Sequence, residues 1–164
     1  MRIIGYIGRH EKDSLLARLG WGLVRLAQVG EQYRRVTHCE MLLGGTWSSA
    51  LIGGASLRDG GVRIKQTDLT PGNWIVLEVP AWDEKEARRR LEAEVGAGYD
   101  KPGAMATIFW FIAHSLSKWF CSELLAYLAG LMDAHRYKPS TLFALAASLP
   151  GTRDITDEVF NQEK

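Results

Sequence analysis

Two cysteines in 164 residues are too few for a disulfide framework or a cysteine-rich zinc site, and they point to a reducing compartment. Charge of one sign is also missing: 20 Lys and Arg stand against 19 Asp and Glu, for a net charge of +1. With no long basic run, the chain is not expected to bind nucleic acid. Met1 to Gly8 lack an apolar core long enough for a signal peptide, and their isoleucines read as a first strand. The most apolar window, Ala104 to Phe111, is followed by His114 and Lys118, short of the roughly twenty residues of a membrane span. A buried helix, no stable membrane insertion and a cytoplasmic location as encoded are therefore expected. No glycine-rich fingerprint leads into a helix, so a phosphate cradle is disfavoured.

What remains is a chain with 46% hydrophobic and 24% charged residues, enough for one domain over residues 1–164 with its own core. Strands are expected at residues 2–7, at Arg35 to Leu43 ended by Gly44-Gly45, near Thr46 to Ile52, at Val62 to Lys65, and at Asn73 to Val79. The paired glycines between them read as hairpin turns. Helices are expected around Leu15 to Ala27, from Asp83 to Val95, and over 104–116, 122–132 and 140–148, the last started by Pro139. Residues 96–103 read as a loop and 150–164 as a partly loose polar tail. Arg88-Arg89-Arg90 reads as a solvated helix face, with Glu84 opposite Arg88 and Glu86 opposite Arg90. The fold class is α+β, a small and mainly antiparallel sheet packed against helices.

The candidate chemistry centres on Cys121, at the first turn of an apolar helix. Unpaired N–H groups and the positive end of the helix dipole favour thiolate there, although a free cysteine is also an ordinary small core residue. A thiol nucleophile needs a base and a group to orient that base. Of four histidines, His38 is preferred because a strand fixes its side chain. His10 and His135 lie in charged or loop-like contexts, and His114 lies in an apolar stretch. Period-two alternation places His38 and Glu40 on one strand face and Cys39 on the other. Cys39 is thus expected to be an inert packing residue. The bland alternative for His38 and Glu40 is an edge strand with a solvated face. Glu40, Ser49 and Asp59 are all open as the orienting residue. The Cys121 N–H is the expected oxyanion donor, with Tyr99, Tyr6 and Ser122 as further oxyanion or cleft candidates. Trp47, Trp74, Trp110 and Trp119 are either cleft walls or core.

Thr37-His38-Cys39-Glu40-Met41-Leu42, Ser56-Leu57-Arg58-Asp59-Gly60-Gly61-Val62-Arg63, Gly98-Tyr99-Asp100 and Phe120-Cys121-Ser122-Glu123-Leu124 occur in that order. Together they resemble the circularly permuted papain-fold cysteine hydrolases related to the NlpC type, the YiiX-like group. In that group the histidine strand precedes the cysteine helix. The resemblance covers roughly residues 1–147. It implies a thiol hydrolase or acyl-transfer enzyme with Cys121 as nucleophile and His38 as base, acting on a peptide or acyl substrate without metal or organic cofactor. It also implies a bacterial or phage source. Members often carry a glutamate on the strand after the histidine strand, where this chain has Trp47-Ser48-Ser49-Ala50.

Three functional readings follow. The first is a cysteine peptidase or amidase, with cell-wall peptides as one substrate class implied by the resemblance. The second is a lipid acyl transferase or thioesterase of the same permuted fold. The third is a non-catalytic papain-like interaction module.

Overall fold

Short β-branched and apolar runs punctuated by glycine favour paired strands. The computed structural model, which describes residues 1–8, 33–106 and 118–161, contains β1 (Arg2–Tyr6), β2 (His38–Thr46), β3 (Ser49–Ser56), β4 (Gly61–Thr67), β5 (Trp74–Glu78), β6 (Gly98–Tyr99), β7 (Lys118–Trp119) and β8 (Arg153–Asp154). Its helices of four residues or more are α1 (Glu84–Glu94), α2 (Lys101–Ala106), α3 (Cys121–Leu128), α4 (Pro139–Ser148) and α5 (Thr156–Asn161). The class is α+β. The sheet is larger than expected, with eight strands in the order β7-β6-β4-β3-β2-β1-β5-β8. Pairing is antiparallel throughout except between β6 and β7.

Alternation along the strands produces two apolar layers. Ile3, Cys39, Met41, Ala55, Val62 and Leu77 face Leu124 and Leu125 of α3 and Leu142 and Phe143 of α4. Fully burying each such leucine contributes about 1.5–3 kcal/mol. The opposite face gathers Ile4, Leu42, Ile52 and Val76 with Leu69 and Ile155. The cysteine helix therefore packs on the Cys39 face of β2, not on the face that carries His38 and Glu40.

Several local expectations are corrected. Gly44-Gly45 does not end β2 but lies within it, at a register shift after Leu42. Gly53-Gly54 is not a turn; both residues lie inside β3, where strand pairing and neighbouring side chains leave no room for a Cβ. Residues 96–103 are not simply a loop, since β6 and the start of α2 fall there. The expected loose tail instead contains β8, which pairs with β5, and α5. Helix α3 stops at Leu128, short of Met132, because Gly130 adopts φ 75° and terminates it.

In the charged helix α1, Asp83 caps the first turn by accepting from the Glu86 N–H at 3.0 Å. Glu86 pairs with Arg90 at 2.9 Å as the spacing predicts, and also with Arg89 at 2.7 Å. Arg88 instead reaches the Leu43 carbonyl at 2.9 Å, and Arg90 the Tyr127 carbonyl at 2.9 Å, so two of the three arginines tie α1 to its neighbours. The helix expected around Leu15 to Ala27 and residues 107–116 of the helix expected over 104–116 lie outside the described residues. Among those described, no helix is long and apolar enough to cross a membrane.

Candidate active site

The segment Trp119-Phe120-Cys121 leaves β7 and enters α3 with Phe120 as its extended N-cap residue. The Cys121 N–H is thus among the first-turn donors that have no intrahelical acceptor. Glu123, two residues on, accepts from the Phe120 N–H at 3.4 Å. Burial first, and then the charge of Asp100, push the Glu123 carboxyl up to about 7 against that hydrogen bond.

On β2, the ladder with β1 sets Tyr6 opposite His38 and Ile4 opposite Glu40. The register with β3 begins only at Met41 opposite Gly53. At this end of the strand, backbone and side-chain donors of β2 meet the Cys121 sulfur. Hydrogen bonding from the Cys39 thiol is the largest cause that lowers the Cys121 thiol. Burial opposes ionisation, and the charge and hydrogen bond of His38 and then the Cys39 N–H favour it. The net effect holds the Cys121 thiol well below its ordinary range. Cys39 moves the opposite way, pushed up by burial and then by its bond to Cys121, so it remains a protonated donor. Cys39 is thus buried in the core and also hydrogen-bonds to Cys121. Alternation does point it away from His38, but that is the side on which α3 delivers the nucleophile candidate.

His38 Nε2 lies 2.5 Å from Glu40 Oε1. Two residues along a strand span roughly 6.5 Å at the backbone, and the two side chains close that gap by leaning toward each other. With Nε2 committed to Glu40, Nδ1 is the ring nitrogen left for the thiol. Burial disfavours the imidazolium, but the Cys121 charge and hydrogen bond, followed by those of Glu40, outweigh it and raise His38 to about 10. Glu40 is 2% exposed. Burial pushes its carboxyl up, yet His38 and then Arg63 bring it below the ordinary value.

Arg63 is the residue that sequence reasoning missed. It donates from Nη2 to Glu40 Oε1 at 2.7 Å, from Nη1 to the Gly54 carbonyl at 2.8 Å, and from Nε to Asp59 Oδ2 at 2.5 Å. The one available signal was its place on the polar face of β4 with Lys65 and Thr67. Asp59 is turned to Arg63 and, at 2.7 Å, to Lys65 rather than to His38. Ser49 is exposed and pairs with Thr46, at the far end of β2 from His38, roughly 26 Å along the strand. It is not at the site.

Tyr99 is pushed well up by burial and then by the charges of Cys121, Cys39 and Asp100, which keeps its hydroxyl a donor beside the thiol. Tyr6 packs edge-on against Trp74, with ring centroids 5.0 Å apart. Ser122 is not a cleft residue, because its buried hydroxyl donates to the Tyr137 carbonyl at 2.7 Å. Trp74, Tyr6 and Tyr99 line an open trough of about 160 Å³ with His38, Arg63 and Lys65. Trp47 lines a separate cavity, and Trp119 stacks on Tyr127. His135 sits in a short turn at Ala134–Arg136. His10, Trp110 and His114 lie outside the described residues. Among those described, no group of three or more His, Cys, Asp or Glu side chains is placed to hold a metal ion.

A thiolate, an imidazolium and a buried carboxylate in series suit nucleophilic attack on a carbonyl carbon followed by proton delivery to the leaving group. Comparison of the chain with protein-family models, with curated proteins and with solved structures gave no match.

Proposed function

We propose that the chain is a thiol hydrolase of the peptidase or amidase class, with a permuted papain-like arrangement of its elements. Cys121 is the nucleophile, His38 the acid and base, and Glu40 the residue that orients His38. The observation that carries this reading is the contact of His38 Nε2 with the buried Glu40 carboxylate at 2.5 Å, and the charge of His38 in turn lowers the Cys121 thiol.

In the reaction the Cys121 sulfur forms a bond to the substrate carbonyl carbon, and the carbonyl electrons move to oxygen. The Cys121 N–H and the Tyr99 hydroxyl are the donors for that oxyanion. Collapse expels the amine, which takes the Nδ1 proton of His38. Neutral His38 then accepts a proton from water, whose oxygen attacks the thioester and releases the acid and the thiolate. The trough beside His38 mixes aromatic walls with arginine and lysine. The polar and basic part of that lining is compatible with the amide groups of a peptide. Cell-wall peptides are the substrate class implied by the resemblance.

The test is alkylation of the full chain by iodoacetamide. Cys121 is expected to react rapidly below pH 7, and His38→Ala to slow it. Equal, slow labelling of both proteins overturns the reading. Peptide, ester and thioester panels then separate amidase from acyl-transfer chemistry, and turnover of thioesters alone would favour the latter.

A further inference from the structure

Glu40, Gly54 and Arg63 stand in one row across three neighbouring strands. Gly54 is opposite Arg63 in the β3–β4 ladder, and a Cβ on Gly54 would lie 2.9 Å from Glu40 Cγ. Strands that pair are about 4.8 Å apart, so Arg63 has to cross the whole of β3 to meet Glu40. It does so over the one residue in the row that has no side chain, and it fastens to that residue's carbonyl on the way. Asp59 holds the Nε edge of the guanidinium and is itself held by Lys65. Both ends of the crossing are therefore fixed.

The crossing matters because of which oxygen it reaches. His38 and Arg63 share Oε1 of Glu40, and Oε2 is buried with no hydrogen-bond partner among the described residues. A buried carboxylate stays ionised only beside a compensating charge. The charge on His38 is intermittent, since in the proposed reaction it gives its proton to the leaving group and regains one from water. The Arg63 charge is permanent.

We propose that Arg63 is a positioning residue for the thiol–imidazole pair: reaching over Gly54, it keeps Glu40 ionised and fixed while His38 is neutral, so that Nε2–H stays on Glu40 and Nδ1 stays toward Cys121. This rests on the thiol-hydrolase reading above. Without Arg63, Glu40 competes with His38 for the proton, and the imidazole loses the acceptor that defines its tautomer. The other charged or titratable groups around Glu40 are Tyr6 from β1, Lys65 from β4, Arg58 and Asp59 from the β3–β4 turn, Tyr99 from β6, and Cys39 with Cys121 at the strand end. Among the described residues, only His38 and Arg63 hydrogen-bond to its carboxylate.

The experiment is a carbon-13 NMR titration of the full chain labelled at glutamate carboxyls, with the Glu40 signal identified by its loss in Glu40→Gln. The wild-type midpoint is expected below the ordinary 4.5. Arg63→Gln and Arg63→Met are expected to raise it by about one to three units, and Arg63→Lys to return it toward wild type. A wild-type midpoint at or above 4.5 overturns the proposal and needs no variant. An unmoved midpoint in a folded Arg63→Gln, judged by circular dichroism, also overturns it, as does equal displacement by Lys and Gln. Iodoacetamide labelling of the wild type and of His38→Ala, run alongside, tests the underlying reading separately. Rapid His38-dependent labelling with an unmoved Glu40 midpoint rejects Arg63 alone; slow, His38-independent labelling rejects the hydrolase.

Discussion

His38 and Glu40 lie two residues apart on β2, with Nε2 and Oε1 2.5 Å from each other on one face of the strand. An imidazole hydrogen-bonded to a buried carboxylate has its ring rotation and tautomer set before any substrate arrives. Removing that partner separates orientation from nucleophilicity. Glu40→Gln is expected to lower the His38 titration from about 10 toward the ordinary imidazole range, followed by imidazole NMR. Hydrolysis is expected to fall by about 10²–10⁴-fold. A His38 midpoint unchanged in the variant would show that Cys121 alone sets it.

Cys39 is expected to tune the nucleophile. Its thiol donates to the Cys121 sulfur, so Cys39→Ala removes a donor and raises the Cys121 pKa, while Cys39→Ser keeps one. Iodoacetamide rates should fall in Cys39→Ala at pH 6 and converge with wild type near pH 9, with Cys39→Ser between the two. Identical profiles for all three proteins would leave Cys39 a packing residue. Loss of hydrolysis in Cys39→Ser, with Cys121→Ser fully active, would invert the assignment of the nucleophile.

Gly54→Ala probes the row across the sheet. The new methyl group would stand 2.9 Å from Glu40 Cγ and 3.2 Å from Glu40 Cβ, and these atoms belong to a buried, doubly bonded side chain that has little room to yield. Overpacking of this kind costs about 1–3 kcal/mol. Urea unfolding should show that loss, and hydrolysis should fall further than global stability explains. Wild-type stability with wild-type rate would mean that the row has slack.

The stability that His38 and Cys121 contribute together should form a plateau in pH. His38, raised from 6.5 to about 10, contributes stability that is full below 6.5 and is lost as pH rises through 10. Cys121, depressed from 9.0, contributes stability that is full above 9.0 and is lost as pH falls through its lowered value. Between 6.5 and 9.0 the two slopes cancel, because imidazolium with thiolate carries the same protons as imidazole with thiol. The contribution of the pair to the midpoint temperature, read as wild type minus Cys121→Ala, should therefore be level in that window and decline on both sides. Glu123, raised from 4.5 to about 7, separately lowers stability as pH rises through that interval. A difference that stays constant across the whole pH range would assign the declines to other groups.

Much of the site was written locally. The alternation of β2 is a backbone property, so it alone put His38 with Glu40 and Cys39 opposite them. The start of α3 at Cys121 followed from an apolar helical run, and Pro139 marked the start of α4 because its missing N–H costs nothing there. Gly60-Gly61 does turn the chain between β3 and β4, with Gly60 at φ 80°. The other two glycine pairs misled because the same residue that permits a turn also permits close approach inside a strand. Gly53-Gly54 serves the second purpose, and only neighbouring strands and helices reveal that.

The sequence by itself determined which side chains share a strand face and where α3 and α4 begin, since these depend on φ and ψ over a few residues. Only the tertiary structure decided that α3 packs on the Cys39 face, that Ser49 lies at the far end of the hairpin, and that Arg63 reaches Glu40 across Gly54. Those relations depend on strand register and on the face against which a helix docks, and both are set by packing between segments distant in the chain.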